Sequence, residues 1–127
     1  MKINTIDVWH QVLVTGDKKL LSTLIAENAI FHSPIVHKPQ VGKAVTMMYL
    51  SAAFKVFYNE TFHYVRKLVT ERDAVLEFQV EIDGISVNGV DMMTWDEDGH
   101  IIDFKVMIRP LKAINLIQQK MFAMLNS

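Results

Sequence analysis

The sequence contains no cysteine, which excludes a disulfide framework and any thiolate metal site and suits a reducing compartment. Its three prolines and five glycines among 127 residues are too few for a collagen-like or low-complexity chain. No stretch reaches the ~20 apolar residues of a membrane span, and the opening Met-Lys-Ile-Asn-Thr lacks the apolar core of a signal peptide. A cytoplasmic protein without membrane contact is the expectation. Lys and Arg never run beyond two in succession and the formal net charge is −1, so no footprint for a phosphate backbone exists and nucleic acid is not an expected partner. What the chain does have is apolar content. Half of its residues are hydrophobic and 21% are charged, enough for one well-buried core in a single domain over residues 1–127.

Asn4 or Thr5 can cap a first helix in which Ile6, Trp9, Val12 and Leu13 recur at helical spacing, with Gly16 supplying a left-handed end. Asp17 can cap a second helix at once, with Leu20, Leu21, Leu24 and Ile25 as its apolar stripe. Residues 29–33 read as a short strand. The two prolines between Pro34 and Gly42 make that segment a loop, and residues 43–57 a helix apolar on most sides. The period then changes from 3.6 to 2. Residues 61–69, 74–82, 85–95 and 100–109 read as strands of an antiparallel meander, with turns at Asp83-Gly84 and around Asp98-Gly99. A final helix follows Pro110, its stripe carried by Leu111, Ile114, Ile117 and Met121. Helices, then a meander, then a helix, without βαβ alternation, specify an α+β fold.

Counting by twos along residues 85–95 places Ile85, Val87, Gly89, Asp91, Met93 and Trp95 on one face. Asp91 is thus a carboxylate on an apolar face. It must be paired (Arg109 is the available cation), hydrogen-bonded, protonated or open to a cavity. Carboxylates in such settings cluster at functional sites, which makes Asp91 the leading candidate. His32 and His37 flank Pro34 at a spacing unlike that of zinc-binding histidines, so no metal is expected, although His32 could serve as an acid or base. No cofactor motif is present. Ser33 lacks a nucleophile-elbow pattern and reads as a polar pocket residue. Trp9 and Tyr49 can each donate one hydrogen bond from an apolar face, and Met93 and Met107 suit an irregular apolar pocket.

The order of elements, the corner at Gly16-Asp17, the loop from Pro34 to Gly42 and the ending from Asp98-Gly99 through Arg109-Pro110 resemble the SnoaL-like and ketosteroid isomerase-like branch of the nuclear transport factor 2 superfamily. The resemblance implies a cone-shaped curved antiparallel sheet wrapped around the N-terminal helices, with a C-terminal helix. In the register it implies, the isomerases' oxyanion-binding tyrosine falls on Trp9, their aspartate base on Ser33 and their second oxyanion-binding acid on Asp91. Only Asp91 keeps the residue type. A serine cannot shuttle a proton between carbons as a carboxylate does. The limonene epoxide hydrolases of the same superfamily use an Asp-Arg-Asp arrangement, for which Asp91, Arg109 and Asp103 offer the residue types.

Three functions follow as expectations. The first is binding of a small apolar molecule in a cavity anchored by Asp91 and lined by Trp9, His32, Ser33, Tyr49, Met93, Trp95 and Met107. The second is an isomerase, cyclase or hydrolase acting on an apolar carbonyl or epoxide compound, with Asp91 and His32 catalytic. The third is a dimeric interaction module with a vestigial pocket. A homodimer is expected under all three, because Phe104, Val106 and Ile108 alternate with Met107 and leave both faces of one strand apolar.

Overall fold

A computed structural model of the protein describes residues 2–126. Helix α1 (Thr5–Thr15) starts where the Asn4 side chain accepts the Asp7 N–H, and it stops at Gly16, whose φ of +67° supplies the left-handed cap. Helix α2 (Lys18–Leu24) follows directly after Gly16 and Asp17, the N–H groups of Lys19 and Leu20 accepted by the Asp17 carboxylate at 2.9 and 3.2 Å. Strand β1 (Ile25–His32), a two-residue strand β2 (Gln40–Val41), helix α3 (Lys43–Phe57), strands β3 (His63–Val69), β4 (Asp73–Ile82), β5 (Ile85–Trp95) and β6 (Ile101–Arg109), and helix α4 (Leu111–Leu125) complete the chain.

The six strands form one open sheet in the order β2-β1-β6-β5-β4-β3. Every neighbouring pair is antiparallel except β1 with β6, so the expected antiparallel meander of β3 to β6 is present and the parallel joining of β1 makes the whole sheet mixed. A correction concerns the start of β1. The apolar stripe of α2 runs into Ile25, yet the chain leaves the helix there and pairs Ile25 with Ile101. The loop from Pro34 to Gly42 also contributes the short edge pairing of β2 with β1. Register shifts between Ile25 and Ile30, Tyr64 and Arg66, and Thr94 and Trp95 interrupt the ladders. Irregularities of this kind bend strands and raise local twist, and they curve this sheet around the helices.

The core lies between the concave face and α1, α2 and α3. Trp9, Val12, Leu21, Leu24, Phe31, Leu50, Leu76, Phe78, Met93 and Phe104 are buried there. Each such side chain contributes roughly 1.5–3 kcal/mol relative to exposure, so burial in this layer dominates stability. Alternation along β5 holds as expected, with Val87, Gly89, Asp91, Met93 and Trp95 all buried. Helix α4 covers the other end through Ala113 and Ile117. Among the described residues, no helix is long and apolar enough to cross a membrane.

Candidate functional site

Asp91 projects from the middle of β5, between Leu76 of β4 and Val106 of β6, and its residue exposure is only 8%. Around it the fold gathers aromatic rings. Phe78 stacks on Phe62 at 5.2 Å and meets Phe57 edge-on at 5.5 Å, while Trp9 packs against Phe54 and Phe104 at 5.5 and 5.1 Å. These side chains, with Leu13, Leu50, Ala53, Tyr58 and Val106, line a cavity of about 40 Å³ into which Asp91 opens. That is room for one to a few water molecules.

A chain of hydrogen bonds fixes the carboxyl. The Trp9 indole Nε1–H donates to Tyr64 Oη at 2.9 Å, and Tyr64 Oη–H donates to Asp91 Oδ2 at 2.9 Å. Oδ1 has no such partner among the described residues. No ion pair involves Asp91 among them either. Burial therefore dominates its ionisation and raises the pKa from the ordinary 3.8 to about 7, with the Tyr64 donation pulling the other way. Tyr64 is itself pushed well above its ordinary value, by burial first and then by the negative charge of Asp91, so the phenol stays protonated and remains a donor. A carboxyl raised this far toward neutrality is suited to giving and taking a proton in one site. Tyr64→Phe keeps the ring and removes the donor. It is expected to raise the Asp91 pKa further, on the order of one pH unit, as read by a carbon-13 titration of the carboxyl.

Tyr64 and the rings of Phe54, Phe57, Phe62 and Phe78 were not singled out by sequence reasoning. The usable signal was the density of aromatics from Phe54 to Tyr64, five of eleven residues. Behind Tyr64, the ring of His10 lies 6.1 Å away. His10 Nε2 is buried without a hydrogen-bond partner among the described residues, and burial together with Lys67 lowers the pKa against the opposing pull of Asp7.

Of the residues expected to line one cavity, only Trp9 joins Asp91 there, and six placements are corrected. His32 points to the convex side and bonds Asp103 at 2.9 Å. Ser33 accepts the backbone N–H groups of Ile35 and Val36 in a separate groove that His32 also lines. Tyr49 stacks on Phe31 at 5.2 Å. Met93 packs in the core between Ala74 and Phe104. Trp95 donates its indole N–H to the Glu71 carbonyl, pinning the turn between β3 and β4. Met107 is 49% exposed on the convex face. The Asp-Arg-Asp arrangement is not assembled either. Asp103 pairs with His32, and the Arg109 guanidinium reaches Asn88 at 3.5 Å rather than Asp91. Ligand atoms of Asp96, Asp98 and His100 lie within 4.8 Å of one another, but Asp96 Oδ1 accepts the N–H groups of Asp98 and His100 and so shapes the turn between β5 and β6.

Comparison with known proteins decides the family. Residues 6–104 match the model of the SnoaL-like domain. The chain belongs to the SnoaL-like family. A solved structure described as a steroid delta-isomerase from Pseudomonas aeruginosa shares 35% identity and a TM-score of 0.89, covering 96% of this chain and 89% of that one. An uncharacterized protein with a cystatin-like fold from Silicibacter pomeroyi shares 33% identity and a TM-score of 0.86, over 94% and 84% of the two chains. SalBIII, described as an epoxide hydrolase/cyclase-like enzyme in pyran ring formation in the polyether salinomycin, shares the fold at 17% identity and a TM-score of 0.63, over 82% of this chain and 86% of that one. No curated protein matches the chain in sequence. SnoaL-like membership accounts for the curved mixed sheet, the helices in its concavity and the C-terminal helix. It leaves the chemistry of the cavity to this chain's own residues.

Proposed function

We propose that the protein binds a small apolar molecule in the aromatic cavity and that Asp91 anchors it by a hydrogen bond. The observation that carries this reading is a buried carboxyl with one oxygen held by Tyr64 and the other left to the cavity. A carbonyl or hydroxyl group on an apolar ligand would satisfy that free oxygen, whose hydrogen bond is worth more in a water-poor site than in solution. The free volume is smaller than such a ligand, so entry requires the side chains at the mouth to move. Tyr58, 41% exposed, is the most accessible of them. Calorimetry with a panel of cyclic ketones and phenols tests the reading. Saturable binding is expected, and Ala53→Trp, which fills the cavity from α3, is expected to weaken it by at least about tenfold. Absence of binding across the panel, or binding indifferent to Ala53→Trp, would rule the reading out.

An enzymatic reading has two points in its favour beyond binding: burial raises the pKa of Asp91 to about 7, and 35% identity links the chain to a protein described as a steroid delta-isomerase. In this reading Asp91 alone moves the proton in isomerisation, cyclisation or hydrolysis of an apolar carbonyl or epoxide compound. Ser33 cannot replace the family's base, and His32 does not reach the cavity. Turnover of such a compound should vanish in Asp91→Asn.

We infer that a second copy of the chain covers the convex face. Leu68 and Met107 are 57% and 49% exposed there, beside the half-buried Val75, Val90 and Met92, and apolar patches of this kind favour association. Sedimentation at micromolar concentration should report twice the chain mass, and Leu68→Lys with Met107→Lys should return the monomer. A monomeric wild type would contradict the inference and, with it, the interaction-module reading.

A further inference from the structure

We propose that the ligand of the cavity is amphipathic, and that its anionic tail lies in a second subsite at the mouth, between the end of α1 and the last turns of α3, where Lys18 and Lys55 receive it. This rests on reading the aromatic cavity as a ligand site. A surface groove of about 300 Å³ shares Leu13, Phe54 and Tyr58 with the cavity, so those three side chains stand between the two spaces. Movement of any of them joins the spaces into one channel running from Asp91 to the surface.

The chemistry of the two ends differs. Inside, the polar end is a buried carboxyl among aromatic rings, a setting that disfavours a second negative charge. Outside, Lys18 and Lys55 are the only charged residues lining the groove among the described residues. Neither has an ion-pair partner among the described residues. The adjacent acid, Asp17, is engaged with the N–H groups of Lys19 and Leu20 and does not line the groove. Helix stability does not account for Lys18. It is the first residue of α2, where a cation opposes the helix dipole. A carboxylate, sulfonate or phosphate on the ligand's outer end supplies the partner that both ammonium groups lack, while the apolar body fills the aromatic interior.

The test is calorimetric titration of the intact protein with 4-hydroxyphenylalkanoates, from acetate to octanoate, against the alcohols of the same chain lengths. The acid should bind more tightly than its alcohol by about three- to tenfold at one preferred chain length, as expected for two solvent-exposed ion pairs. That ratio should fall to near one in Lys18→Gln/Lys55→Gln and at about 0.5 M salt, where charges are screened beyond a few ångströms. Equal binding of acids and alcohols at every length, or a ratio that survives the double substitution, overturns the subsite. Alcohols that bind and are blocked by Ala53→Trp, without any preference for the acids, overturn the subsite alone. Failure of both series to bind overturns the cavity reading with it.

Discussion

Asp91→Asn is expected to abolish most of the loss of stability that the wild-type protein suffers between about pH 4 and pH 8. The folded-state pKa of Asp91 is about 7 against an ordinary 3.8, so between those values the folded chain holds a proton that the unfolded chain has released. Stability from this group is complete below about pH 4 and is lost as pH rises through 7. Three pH units correspond to on the order of 4 kcal/mol. The asparagine cannot ionise, and its carbonyl can still accept the Tyr64 hydroxyl, but its amide N–H groups face the cavity without a partner and cost about 1–3 kcal/mol. Hence the variant should be the less stable protein at pH 4 and the more stable one at pH 8, the crossover lying between. Urea unfolding of both proteins across this range reads the difference directly, since the other carboxylates cancel. Parallel curves would mean that Asp91 titrates like an exposed aspartate.

Gly89→Val should destabilise the fold by about 3 kcal/mol or more. Gly89 lies across from Phe78 on β4 and Ile108 on β6, and a β-carbon placed on it would overlap Phe78 Cζ and sit 2.8 Å from Ile108 Cγ2. Neither contact is tolerable. Phe78 is 2% exposed and wedged between Phe57 and Phe62, so it cannot swing aside without displacing the cavity wall. The glycine is therefore a space requirement of the aromatic site, not a turn. Gly89→Ala should cost about 1–3 kcal/mol and also weaken ligand binding, because the displaced Phe78 ring moves into the cavity. Chemical denaturation of the two variants measures the costs, and a neutral alanine would show that the ring has room to retreat.

The features legible in the sequence were those set locally. Asn4, Gly16 and Asp17 mark the ends of α1 and α2 because capping needs only neighbouring residues. The uninterrupted alternation of β5 places Asp91 inward by counting alone. The parallel pairing of β1 with β6 joins residues more than seventy positions apart and leaves no local mark. Tyr64 is not legible in the sequence because the irregularity between Tyr64 and Arg66 breaks the period of β3, and its bond to Asp91 spans 27 positions. Met93 and Trp95 do share the face of Asp91, but at ~3.3 Å per residue they lie about 7 and 13 Å farther along the strand, outside the cavity. Met107 alternates with the buried Phe104 and Val106, so the same counting that placed Asp91 inward places Met107 outward. Family register aligned Ser33 with a catalytic base, yet side-chain direction in the loop turned its hydroxyl onto the Ile35 and Val36 N–H groups.

Whether Asp91 is an acid of an apolar ligand cavity can be read from a carbon-13 NMR titration of its carboxyl with and without a saturating cyclic ketone. A midpoint of about 7 in the free protein is expected, moving higher with the ketone, whose oxygen accepts a hydrogen bond only from the protonated form. A midpoint near 3.8, or one that the ketone leaves unchanged, would show that Asp91 is not the acid of a ligand cavity.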